Sequence, residues 1–256
     1  MTKHYTITYN YTNSIKQPIQ RAAWLFLITP ECNSSQRLIS SHFKTNINTV
    51  LEKVLNDYNA ETILVKSNKA VNFINFEAEF KVEITSKKRP DFKSSIKQIA
   101  LIQRTIASEA FKTKFNQFLK LNSFKNNELL KFNFNKKTSI FSNLQELMRS
   151  LYVSEASKSS TETLKAFVYL SKLNQIPARF VSGYFHFKNN FNIHFWAECY
   201  VPEIGWTAFN VMHNSLLTTN HIKIAHGTSL SDCDPVKMVI SSNETGIKTQ
   251  QHSQQQ

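Results

Sequence analysis

The sequence predicts an α+β protein: an N-terminal β-sandwich-like domain, a helical connector, and a core in which a central helix packs on an antiparallel sheet. Three observations carry this. Short alternating apolar runs recur from Tyr5 to about Thr85. Helical apolar spacing takes over between Ile96 and Leu173. Pro177 then forbids further helix, and alternation resumes at Phe180. The implied divisions are 1–86, 87–140, 141–240 for the core, and a 241–256 tail.

In order, the first division offers strands at Tyr5 to Tyr9, Ala22 to Ile28, Thr62 to Val65, Val71 to Phe76 and Phe80 to Ile84, separated by polar turns. Lys87-Lys88-Arg89-Pro90 marks its end, because a charged run before proline suits an exposed link better than a strand. The connector carries Ile96, Ile99, Ala100 and Ile102, then Phe111, Phe115, Phe118 and Leu119, at helical spacing. A further amphipathic helix spans Phe141 to Tyr152. After the polar loop from Ser154, a helix opens near Ser160, where Ser159 and Glu162 match a capping box. Its Leu164, Phe167, Val168, Leu170 and Leu173 give the broad apolar face expected of a helix on a sheet. One more strand, Val236 to Ile240, precedes the Gln-rich end.

The densest chemistry lies between Ile176 and Asn210. In a strand from Ile193 to Val201, His194, Trp196, Glu198 and Tyr200 share one face, and Phe195, Ala197, Cys199 and Val201 the other, as in an inner strand. Pro202-Glu203-Ile204-Gly205 supplies the turn. A register that sets Trp196 opposite Asn210 makes His194 the diagonal same-face neighbour of Asn210. A histidine beside an amide is the base-and-orienter half of a nucleophilic triad, because the amide fixes the imidazole tautomer. The bland alternative is a structural His–Asn hydrogen bond.

Composition narrows the function classes. Residues of hydrophobic type make up 41% of the chain, enough for a packed core. Three cysteines without Cys-x-x-Cys or a His-Cys cluster argue against a disulfide framework and a zinc site, so no metal and no cofactor are expected, and a reducing cytoplasm is the expected compartment. The N-terminal residues lack a signal-type apolar region, and Ala22 to Ile28 is too short to span a bilayer. A net charge of +13 would attract nucleic acid, yet the lysines are dispersed without interleaved aromatics, which fits a generally basic surface better.

Four ordered words resemble the bacterial transglutaminase-like family. Ile176-Pro177-Ala178-Arg179-Phe180-Val181-Ser182-Gly183-Tyr184 parallels its Ile-Pro-Ala-Arg-Tyr-Val-Ser-Gly-Tyr, and His194-Phe195-Trp196 its His-Ala-Trp. Gly205-Trp206-Thr207-Ala208-Phe209-Asn210 parallels its Gly-Trp-x-x-Phe-Asp. The run from His221 to Val236 resembles the signature that follows, with Thr228-Ser229 where the family has Arg-Asp. The resemblance implies a papain-like core behind an N-terminal β-domain, with a Cys-His-Asp site. His194 transfers intact, Asn210 stands at the Asp position, and a gap-free count back from Ile176 puts Ser160 at the cysteine, without the family's preceding glycine.

A thiol in such a site works because thiolate and imidazolium can form before substrate arrives, which a hydroxyl cannot do. The resemblance therefore implies a degenerate site at Ser160, His194 and Asn210, and a protein that binds a peptide or protein rather than cleaving one. Two alternatives stay open: an amidase, peptidase or acyl-transfer enzyme using Ser160, His194 and Asn210, and a basic nucleic-acid binder.

Overall fold

The computed structural model describes residues 2–86, 95–121, 132–154, 160–202, 204–241 and 247–251, with the side chains of 160, 241 and 247–251 outside that description. The Lys87–Pro90 link, Ser159 of the capping box and the end of the tail lie outside the described residues.

The chain is α+β with antiparallel sheets. Its N-terminal part runs β1 (Thr2–Ile19), β2 (Ala22–Phe26), β3 (Gln36–Thr45), β4 (Glu52–Leu55), β5 (Glu61–Lys66) and β6 (Val71–Thr85). Between Tyr5 and Thr85 the structure merges the two runs expected from Val71 to Ile84 into the single strand β6. Phe76, Ala78, Phe80, Val82 and Ile84 all point inward, and the small Ala78 had masked the continuity. Strand β3 escaped the sequence because a register shift between Leu38 and Ser40 breaks its period of two.

Two sheets face each other here, ordered β1-β6-β3 and β13-β12-β2-β5-β4, where β12 is Val236–Ser241 and β13 is Ile247–Gln251. Their shared core holds Ile7, Trp24, Phe26, Ile63, Val65 and Phe76, with Phe26 stacked on Phe76 at 3.9 Å between centroids. The strand placed by sequence at the end of the 141–240 core thus pairs with β2, from Val236 opposite Phe26 to Ile240 opposite Ala22.

The connector supplies α1 (Ile96–Ala107), α2 (Glu109–Lys114) and α3 (Asn116–Leu119). Phe111, Phe115 and Phe118 bury themselves against Tyr200 and Trp206. Helices α4 (Ile140–Ser154) and α5 (Ser160–Leu173) follow. They pack on the third sheet through Leu144, Leu147, Leu164, Phe167, Ala197 and Phe209.

That third sheet is ordered β10-β9-β8-β7-β11, from β7 (Ala178–Phe187), β8 (Asn190–Val201), β9 (Gly205–Asn210), β10 (Ser215–Leu216) and β11 (His221–Gly227). Strand β8 is internal, as its two-faced pattern requires. The face turned from α5 carries a buried charge cluster: Arg179 Nε donates to Glu198 Oε2 at 2.8 Å, and Lys223 Nζ to the same oxygen at 3.0 Å. The Arg179 guanidinium also lies 3.9 Å above the Trp206 ring. Burial pushes the Glu198 carboxyl up, but Lys223 and Arg179 outweigh it and hold it below the usual carboxylate range.

Removing one partner of a buried ion cluster strands the others, at a cost of about 3–5 kcal/mol. We expect Glu198→Ala to lower the urea midpoint by that much stability, while surface Glu52→Ala, whose pair with Lys66 is solvent-exposed, shifts it by less than about 1 kcal/mol.

Candidate active site

The register of β8 against β9 pairs Ala197 with Phe209 and Tyr200 with Trp206, which continues to Trp196 opposite Asn210. His194 and Asn210 therefore meet on the diagonal, and His194 Nε2 lies 3.0 Å from Asn210 Oδ1. On the neighbouring strand His194 faces Gly183. A Cβ at Gly183 would collide with the Ile222 carbonyl and the outer ring of Trp196, so the glycine lets that indole lie flat against β7.

Asn210 is fully buried and bonds on its other side: its Nδ2 is 3.0 Å from His221 Nε2. His221 stacks on Phe185 at 4.5 Å, and the exposed His213 stacks on His194 at 5.4 Å. Sequence reasoning took His221 only as the first residue of a family word. The signal that could have found it is the register of β11 on β7, which puts His221 opposite Phe185, two residues along β7 from Gly183 on the same face.

Burial lowers the His194 pKa; the Asn210 bond raises it and the nearby His213 lowers it again, leaving it below the ordinary imidazole value. His221 falls to about 4 through burial and then the proximity of His194, with His213 adding to it against an opposing bond at Thr218. His226, held among Tyr58, Phe118 and the Arg179 and Lys223 charges, falls to about 3, burial being the largest cause. These imidazoles are neutral at pH 7.

Helix α5 runs beside β8 on the opposite face. Ser171 bonds Cys199 (Sγ to Oγ 3.5 Å), and Phe167 meets Phe209, which pairs with Ala197. Four helical residues and two strand residues both advance about 6 Å. Continuing one further step, the first turn of α5, opened by Ser160, comes level with the His194 end of β8. The Ser160 side chain lies outside the described residues.

None of the three cysteines is beside His194. Cys199 is buried on the α5 side, its thiol pushed up to about 12, first by burial. Cys233 is buried against the Phe180 carbonyl, its thiol raised further for the same first reason, and Cys32 is exposed near β3. No group of His, Cys, Asp or Glu among the described residues could hold a metal ion.

A model of the transglutaminase-like superfamily core matches residues 122–211, which span α4, α5 and the strands that carry His194 and Asn210. This segment is similar to a transglutaminase-like core. The whole fold is similar to a crystal structure of a candidate cysteine protease from Cytophaga hutchinsonii, at 13% identity and a TM-score of 0.60, over 98% of this chain and 92% of that one. A search of curated proteins finds no match. Beyond the matched segment, the Asp232 carboxylate caps the loop after β11, accepting from the Thr228 and Ser229 amides at 2.9 Å each. Gly227 has no room for a Cβ because Asp232 fills that space. No described helix is long and apolar enough to cross a membrane.

Two outcomes follow. A histidine whose folded pKa lies below its unfolded value binds protons preferentially in the unfolded chain, so stability falls as pH drops from about 6.5 toward 4, by roughly 1 kcal/mol per pH unit for each such group. Urea midpoints measured from pH 7 to pH 4 should decline, and His226→Leu should flatten the slope. In a second measurement, iodoacetamide should label Cys32 in the native protein, and Cys199 and Cys233 only after unfolding.

Proposed function

We propose that this chain has lost the cysteine-dependent amide chemistry of its superfamily and uses the retained cleft to bind a peptide or protein segment. The observation that carries this is the absence of a thiol beside His194: all three cysteines are placed elsewhere, and the helix position expected for the nucleophile is Ser160. The electrostatics agree. A thiolate–imidazolium pair needs a protonated histidine, whereas His194 is desolvated, has the imidazole of His213 alongside, and is oriented by an uncharged amide instead of a carboxylate. A ligand role is supported by an aromatic row leading outward from this cluster. His221 stacks on Phe185, Phe185 on Phe187 at 6.0 Å, and Phe187 is 54% exposed with Lys188 Nζ over its ring at 5.3 Å. Such a platform suits an apolar side chain of an extended peptide.

The same neutral His194 favours one competing reading, a serine-dependent amidohydrolase. A hydroxyl nucleophile needs an unprotonated imidazole as general base, which is the state this environment supports.

Hydrolysis of a panel of glutamine- and peptide-amide substrates decides between them. Wild type, Ser160→Ala and His194→Ala should all stay at background. The double variant Ser160→Cys with Asn210→Asp should exceed either single change, because it restores both the thiol and the charge that stabilises imidazolium. Robust wild-type turnover, abolished by both alanine changes, would establish the serine enzyme and overturn the binding role.

A further inference from the structure

Strand β1 ends its sheet, which is ordered β1-β6-β3, and so it pairs on one side only. On that side it follows β6 without interruption from Thr2 opposite Thr85 to Ser14 opposite Phe73. In an antiparallel ladder every second residue turns its N–H and C=O away from the partner strand. Along β1 these groups point to an open edge: among the described residues, none of Thr2 to Ile19 makes a backbone hydrogen bond outside the pairing with β6.

A long open edge is a template for another strand unless shortness, a bulge, proline or charge blunts it. Other edges carry such features. Strand β3 has the register shift between Leu38 and Ser40, and exposed Arg37, His42 and Lys44. Strand β4 has four residues, among them Glu52 and Lys53, and β10 has two. The outer side of β11 receives the Glu31 N–H, 2.9 Å from the Lys223 carbonyl. By contrast β1 runs for 18 residues and, between Lys3 and Lys16, contains no Lys, Arg, Asp, Glu or Pro. On a chain of net charge +13, this neutral run is where two copies can meet without charge repulsion.

We propose that β1 pairs antiparallel with β1 of a second copy about a twofold axis at Tyr9, joining the two three-stranded sheets into one. Residues directly opposite each other in such a pair share a face, which restricts the register. Ile7, Tyr9 and Tyr11 are buried toward the sandwich core, whereas Thr6, Thr8, Asn10 and Thr12 are exposed. An axis at Tyr9 sets Ile7 opposite Tyr11 and Thr8 opposite Asn10, so that inward meets inward and outward meets outward. Lys3 then faces Ile15. A slip of one residue would set buried side chains opposite exposed ones and Lys3 opposite Lys16. The axis also lies clear of Tyr5, whose ring is engaged by His186 at 5.4 Å and Phe191 at 5.5 Å. Both copies use the same edge, which leaves the blunted β3 outermost and closes the association at two. No residue of the candidate active site takes part, so failure of this pairing leaves the binding role untouched.

Sedimentation equilibrium of the full chain over a micromolar concentration series should reveal a species of twice the 29.6 kDa chain mass. Thr8→Lys with Asn10→Lys sets lysine opposite lysine on both sides of the axis and should weaken dimerisation by about tenfold or more. Thr8→Lys with Asn10→Glu sets opposite charges there and should dimerise at least as tightly as wild type. Both positions are exposed, so neither change enters the core. Amide exchange on the wild type gives a check free of variants: alternate amides from Thr6 to Thr12 should exchange slowly in concentrated solution and faster on dilution. A monomer at every concentration would overturn the proposal. So would a dimer to which the two double variants respond alike, or one whose β1 amides exchange independently of concentration.

Discussion

The buried cluster of Arg179, Glu198 and Lys223 ties three adjacent strands together at one point. Taking three charges out of water costs several kcal/mol each, and the cost is offset only when every hydrogen bond is made. Here Glu198 Oε2 receives both Arg179 and Lys223, and Lys223 also reaches Glu31 at 3.5 Å. That requirement fixes register. Moving β8 by one residue would turn Glu198 into the apolar space between the sheet and α5. The correct register, with Arg179 opposite Glu198, also sets Gly183 opposite His194 and carries Trp196 to Asn210. The geometry of the candidate site is therefore a consequence of an ion cluster four residues along the same strand.

Given that register, the departures from the superfamily pattern form a consistent set. A carboxylate at 210 would stabilise an imidazolium at 194, and a thiol at 160 would need one. Neither is present. Burial and the neighbouring His213 favour a neutral His194 ring, and the Asn210 amide, which opposes them, carries no charge to hold an imidazolium. A hydroxyl residue at 160 and an uncharged amide at 210 fit one electrostatic state, with a neutral imidazole at 194. A single reversion would leave the other half mismatched, since a new thiol would find no ready imidazolium and a new carboxylate no thiol to ionise.

Much of this was legible in the residues. The helix Ser160–Leu173 and the meander after Pro177 follow from a change in apolar period, and the His194–Asn210 contact follows from counting across one turn. What escaped has physical causes. The small Ala78 sits at an inward position of β6 and hid the strand's length, and the shift at Leu38 and Ser40 disrupted the alternation of β3. The pairing of β12 with β2 depends on a contact between chain positions far apart, which no local pattern encodes. His221 looked like part of a motif because its role arises from strand order, β8-β7-β11, and not from spacing.

That long-range pairing bears on the site itself. Because β12 returns to the N-terminal sheet, the β11 segment between core and return strand is held at both ends. Gln36 bonds the Lys223 backbone through both of its side-chain ends, Oε1 from the Lys223 N–H at 2.8 Å and Nε2 to the Lys223 carbonyl at 2.7 Å. Lys3 and Tyr5 on β1 both donate to Asn220 Oδ1, and the Asn220 carbonyl accepts from the His186 amide at 2.9 Å. His221 is thus flanked on each side by a residue anchored to the sandwich. The ring that completes the hydrogen-bond chain to His194 owes its position to the N-terminal strands as much as to the core. The sandwich accordingly braces the segment that carries His221, through Asn220 on one side and the Lys223 backbone on the other.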